Sequence, residues 1–170
     1  MIASVWRCCV RLALGVCAAA PSLAAAQSET PAAPQEPLRW YFQTSYYTRH
    51  YSPDPRHQND QHLFNVERLT ADNNVYGAAF FDNSFNQPSQ YVYIGKRWRP
   101  FESADLVHVK LTAGVLHGYK GEFQDKVPFN GRGISPAILP AIGLSGNRFA
   151  TEVVLFWTAG AMFTAGVFWD

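Results

Sequence analysis

Two short stretches of this chain carry groups suited to acyl transfer. "FFDNSFNQPSQYVYIG" (Phe80–Gly95) places Ser84 directly after Asp82 and Asn83, and "YYTRHY" ends a strand-like run on His50. A serine hydroxyl becomes a useful nucleophile when a base takes its proton, and an imidazole suits that task because it titrates near neutral pH. A third group on the far ring nitrogen would fix the imidazole. Asp82 is placed for that role if the strand runs through it, since residues two apart share a face. Ser84 would then be the nucleophile, or it would only position substrate. The same tripeptide has a plainer reading, because Asp, Asn and Ser are common turn formers and "DNS" between two strands needs no catalyst. Other chemistry is not signalled. "GLSG" at 143–146 is not a G-x-S-x-G elbow, the five histidines show no metal-ligand spacing, and no phosphate-binding loop occurs, so no cofactor or metal is expected.

The elements that would hold these residues read in steps of two. In "LVHVKLTAGVLHG", Val107, Val109, Leu111, Ala113 and Val115 alternate with His108, Lys110, Thr112 and Gly114. "SQYVYIGKRW" sets Val92, Ile94 and Trp98 opposite Tyr91, Tyr93, Gly95 and Arg97. That is the period of a strand. Eight such runs follow, at about 41–51, 61–70, 74–83, 89–99, 106–118, 134–145, 147–157 and 162–169. Long connections ("SPDPRHQND", "KGEFQDKVPFNGRG") fall at one end and short turns ("ADN", "GN") at the other. The pattern predicts an all-β fold, an eight-stranded antiparallel transmembrane β-barrel over residues 40–170. A soluble lipocalin-like barrel alternates too, but with its polar residues facing water. Here Glu67, Arg97, His108, Lys110 and Glu152 are expected to pair inside the lumen, and Trp40, Tyr41, Trp98, Trp157 and Trp169 fit interfacial girdles.

Residues 1–26 read as a secretory signal: Arg7 and Arg11, then "LALGVCAAAPSLAAA" with small residues at its end. Residues 27–39, rich in Pro, Ala and Glu, read as a flexible lead-in. All three cysteines, Cys8, Cys9 and Cys17, lie in the signal, so the exported domain of about 130 residues would carry no disulfide. It would hold twelve basic against thirteen acidic residues, a balance that argues against a nucleic-acid partner. The expected location is the cell outer membrane.

With the N-terminus on the periplasmic side, the charged residues gather toward the periplasmic end. Phe80, Tyr91, Leu116, Ala137 and Leu139 would face inward nearer the outer end, beneath His50 and Ser84. Eight strands enclose only side chains or one small ligand, so a solute channel is excluded and a pocket for one hydrocarbon chain is not. In "ISPAILPAIG", Pro136 and Pro140 interrupt a strand that is otherwise apolar. Proline cannot donate to the ladder, which yields either a poor edge strand or a lateral gate.

On these residues the chain resembles the PagP-type lipid A palmitoyltransferases of Gram-negative outer membranes, over roughly residues 40–169. "FDNSFN" aligns without gaps on the family's F-x-D-S-x-N, with Ser84 on the serine, Asn86 on the asparagine and Asn83 where the family has its aspartate. Asp82 stands one residue earlier. The family's first-strand histidine falls on His50, with His57 as the alternative. Gly95 falls on the glycine that measures acyl length at the pocket floor. "SPAILPAIGLSGN" is similar to the family's proline-interrupted sixth strand. The family's N-terminal amphipathic helix is not evident in the proline-rich residues 28–39, and the chain ends "VFWD" rather than on the terminal aromatic typical of outer-membrane barrels.

The resemblance implies a monomeric acyltransferase taking a palmitoyl chain from a phospholipid to lipid A in the outer-membrane bilayer. It implies a catalytic site of His50, Ser84, Asp82 and Asn83, and an acyl pocket of Gly95, Tyr91, Phe80, Leu116 and Leu139. The alternatives are a lipid A deacylase and a non-enzymatic small barrel with a structural, adhesive or lipid-binding role.

Overall fold

A computed structural model describes residues 38–170 except 53, 60 and 102; the signal segment and nearly all of the lead-in lie outside the described residues. Eight strands form: β1 (Arg39–His50), β2 (Phe64–Leu69), β3 (Asn74–Asp82), β4 (Pro88–Trp98), β5 (Val107–His117), β6 (Ile134–Ser145), β7 (Phe149–Leu155) and β8 (Gly160–Trp169). Each pairs antiparallel with the next, and β8 pairs with β1, which closes an eight-stranded barrel. The expected all-β barrel is therefore the fold.

The alternation dictates which face goes where. In β4, Tyr91, Tyr93 and Arg97 are buried, while Val92 and Ile94 between them are about 60% exposed. The exterior carries Phe64, Val92, Ile94, Val115, Ile138 and Ile142. The lower interior is polar, and its charged groups pair with one another. Lys110 Nζ donates to Glu67 Oε1 at 2.6 Å and to Glu152 Oε2 at 2.7 Å. His108 Nε2 meets Glu152 Oε1 at 2.9 Å, Tyr93 donates to Glu67 at 2.7 Å, and Gln43 donates to Glu152 at 2.8 Å. Buried charges persist only when so paired. Glycine makes room for the network: a Cβ on Gly77 would lie 2.3 Å from the Tyr93 ring, and one on Gly143 would lie 2.7 Å from His108.

Two elements depart from the alternation. β2 begins at Phe64, and irregular chain before it binds the outer half of β1. Thr48 N–H donates to Asn59 O at 3.3 Å and Leu63 N–H to Ser45 Oγ at 3.1 Å. The β1–β8 register also shifts between Ser45 and Tyr47. β7 ends at Leu155, and the β6–β7 ladder covers only Ala141–Ser145.

Lys110→Met leaves Glu67 and Glu152 buried without their shared cation. The expected cost is about 3–5 kcal/mol of stability, read from urea unfolding of the barrel in lipid vesicles. A variant as stable as its parent would contradict the ion-pair description of the lumen.

Candidate functional site

The long loops gather at the end of the barrel where β1, β3, β5 and β7 finish, and His50 and Ser84 meet there. His50 Nε2 lies 2.6 Å from Ser84 Oγ. The last strand residue of β1 carries the histidine, and a turn after β3 carries the serine. Asn83 builds that turn: its Oδ1 accepts the N–H groups of Phe85 (2.9 Å) and Gln87 (3.1 Å), and Asn86 takes a left-handed φ of 57°. So "DNS" is a turn, as its composition suggests, and the turn presents Ser84 to His50.

The orienting group differs from the expected one. His50 Nδ1 lies 2.9 Å from Asn59 Oδ1. If the imidazole holds its proton on Nδ1 and donates it there, Nε2 is left to accept from Ser84, the tautomer that a general base needs. Asp82 is not brought to the pair. It pairs with Pro88 as the last ladder step of β3 and falls on the strand face opposite Phe81. Asn83 is buried and committed to the turn.

Two further side chains converge on Ser84. Gln61 is buried, and its Nε2 donates to Gln58 O at 3.1 Å and to Ser84 Oγ at 3.3 Å. The Tyr119 hydroxyl lies beside Ser84; burial pushes its phenol up, and the neighbouring Ser84 works against the rise. Gln58 N–H donates to Ser84 O at 2.8 Å, tying the first loop to the serine's backbone. Asn59 and Gln61 lie two residues apart in a chain lying along β1. That spacing is the only sequence signal that could have found them.

His57, the alternative histidine, sits one ring away. Its centroid is 4.1 Å from that of His50, and its other face meets Phe85 at 5.2 Å. Phe85 in turn stacks on Phe123 at 4.1 Å. These rings join three loops beside the His50–Ser84 pair.

Beneath Ser84 a cavity of about 450 Å³ runs down the lumen. Its walls are Leu63, Ala79, Phe81, Leu116, Ala137 and Leu139, and its floor is Tyr91, Tyr93, Thr112 and the Lys110 network. Leu116, Leu139 and Tyr91 thus stand where the sequence reading put them. Phe80 does not: it is 52% exposed on the barrel exterior, and Phe81 lines the cavity instead. Cross-strand partners share a face, and inward Asn65 pairs with Ala79, which fixes the odd-numbered residues of β3 as the inner set. Gly95 lies outside the cavity lining, although its ladder partner Thr112 is part of it.

Of the expected gate, Pro136 lines the cavity and Pro140 does not. Both pair with β5, and neither has a β7 partner. The open seam beside Ile134–Pro140 is bridged by Trp157, whose indole N–H donates to Ile138 O at 2.7 Å. Ile138 and Trp157 line the cavity and are also exposed on the exterior, so the cavity opens sideways there.

Comparison of the sequence with protein-family models and with curated proteins found no match.

Burial, then the neighbouring His50, lowers the pKa of His57, and its Nδ1 is buried without a partner. The folded protein therefore binds that proton less readily than the unfolded chain. Stability from this group is full above the unfolded value near 6.5 and is lost as pH falls below it. NMR titration should give His57 a midpoint below 6.5; a midpoint above it would contradict the packing described for the ring.

Proposed function

We propose that this protein is an outer-membrane acyltransferase that moves a palmitoyl chain from a phospholipid to lipid A. The observation that carries the proposal is the His50–Ser84 pair, 2.6 Å apart at the mouth of an apolar cavity that also opens through the barrel wall. A cavity of this volume is within the usual range for small-molecule sites. Its upper walls are mostly apolar, with Lys126 among the lining residues from the loop after β5, and it suits a hydrocarbon chain whose ester group rests at Ser84.

The membrane reading rests on the inverted surface. Apolar side chains face outward, ion pairs face inward, and Trp40, Trp98 and Trp169 mark one rim while Tyr46, Tyr47 and Trp157 mark the other. A donor phospholipid lying against this exterior would pass its chain through the open β6–β7 seam. The resemblance of "FDNSFN" and "SPAILPAIGLSGN" to the PagP-type family supports lipid A as the acceptor.

In this mechanism His50 Nε2 takes the Ser84 proton as Oγ bonds to the donor's carbonyl carbon. The bond from that carbon to the glycerol oxygen breaks, and His50 returns the proton to the departing lysophospholipid. A lipid A hydroxyl then attacks the acyl-serine, His50 takes its proton, and Ser84 leaves with it. Asn59 holds the ring throughout without taking a proton.

Expression in a Gram-negative host should add one palmitoyl mass to lipid A. Ser84→Ala and His50→Ala should each lower that product about a thousandfold. Loss of a hydroxyacyl chain instead would identify a deacylase. An unchanged spectrum with the protein present in the outer membrane would favour a non-enzymatic barrel. Ala79→Leu, which fills the cavity wall, should shorten the chain transferred while leaving the His50–Ser84 pair intact. An unchanged chain length would mean that the lumen cavity does not hold the acyl group.

A further inference from the structure

An ester attacked by Ser84 develops negative charge on its carbonyl oxygen, next to the serine Oγ. Donors aimed at that spot lower the barrier more than any other single feature of such sites. Three loops meet at Ser84, and two of them bring a neutral donor. From the first loop comes the Gln61 carboxamide. One of its N–H groups is held by Gln58 O at 3.1 Å, and the other rests on Ser84 Oγ at 3.3 Å. From the loop after β5 comes the Tyr119 hydroxyl, which lies beside Ser84.

Both side chains are fixed from behind. Gln61 O accepts from Ser45 Oγ, and Leu63 N–H donates to the same hydroxyl at 3.1 Å, so the β1 irregularity anchors the segment. Tyr119 adopts a left-handed φ of 51°, a conformation that costs a non-glycine residue about 1 kcal/mol or more. It is held there by Asn130 Nδ2, which donates to Tyr119 O at 2.9 Å, and by Gly118, where a Cβ would lie 2.1 Å from Ser89 Oγ.

We propose that Gln61 Nε2 and the Tyr119 hydroxyl form the oxyanion hole of this enzyme. The inference rests on the acyl-transfer reading with Ser84 as nucleophile. As Oγ bonds to the carbonyl carbon, it gives up the lone pair that Gln61 now meets, and that N–H turns to the adjacent oxyanion. Tyr119 can accept the Ser84 backbone N–H and still direct its own proton at the same oxygen. Burial keeps the phenol protonated, so it serves as a donor. Neither residue exchanges a proton with the substrate, and each touches only the developing charge.

The test uses the full barrel in mixed micelles of detergent and dipalmitoyl phosphatidylcholine, with lysophospholipid release as the readout. Gln61→Ala should lower kcat about 100- to 1,000-fold with KM nearly unchanged, and Tyr119→Phe should lower it about tenfold. Gln61→Glu, which keeps the shape but sets a carboxylate against the oxyanion, should lose at least as much as Gln61→Ala. A phosphonate ester that mimics the tetrahedral intermediate should lose affinity for both neutral variants in step with kcat, a change that a loop-anchoring role alone would not produce. If Gln61→Glu and Tyr119→Phe keep kcat within about twofold of the parent while Ser84→Ala is inactive, the oxyanion hole is refuted and the acyl-transfer reading stands. If Ser84→Ala keeps full activity, that reading fails and the oxyanion hole falls with it.

Discussion

The interaction on which the rest depends is the placement of Lys110 between Glu67 and Glu152 in the lumen. An eight-stranded barrel has an interior that only side chains or one ligand can fill. Here the lower part is filled by charge and hydrogen bonds, and the upper part is left to small and apolar residues. The division comes from the sequence of β5, where His108, Lys110 and Thr112 face inward in turn and Leu116 follows higher up. Tyr91 and Tyr93, stacked at 4.6 Å, stand beside the polar section at the cavity floor, with the Tyr93 hydroxyl on Glu67 and Asn65. The floor of the cavity is therefore the roof of an ion-pair network. Its depth is set by groups that cannot shift without leaving a buried charge unpaired.

The site depends on two interruptions of the barrel wall. β1 extends past the end of β2, and the β1–β2 ladder stops at Thr44–Phe64. The freed outer half of β1 binds Asn59 and Leu63 of the first loop in place of a strand. A regular strand there would have continued the ladder, whereas the loop brings Asn59 to His50 and Gln61 to Ser84. The second interruption is at β6, whose outer seven residues lack a β7 partner. Unsatisfied backbone groups in hydrocarbon cost several kcal/mol each, and the Trp157 indole meets one of them at Ile138. That residue stands at φ 54°, so the chain accepts strain to bring its ring across the seam. One interruption supplies the groups around His50 and Ser84 and the other a side opening, with the cavity joining them.

Much of this was legible in the sequence. Alternation in β4 and β5 gave the strands, the inward charges and the polar floor, because period two leaves little freedom once one face is assigned. His50 and Ser84 were legible as a pair because each stood at the outer end of an outward-running strand. Asn59, Gln61 and Tyr119 were not, since they come from irregular chain whose path no periodicity reports. Asp82 was expected beside His50 because a strand was continued one step too far. The turn made by Asn83 rotates Ser84 inward and leaves the aspartate behind. Phe80 was placed inside by an error of one residue in phase, which reverses every side chain of a strand. Gly95 lies on the inward face of β4 yet does not line the cavity.

The central claim is that His50 activates Ser84 as a nucleophile. A fluorophosphonate probe, which reacts with activated serines, measures that directly on the intact barrel in detergent. The account predicts a single adduct on the peptide containing Ser84, formed readily by the parent protein and lost in His50→Ala with the barrel still folded. Equal labelling in His50→Ala, or no labelling of Ser84 in the parent, would contradict it.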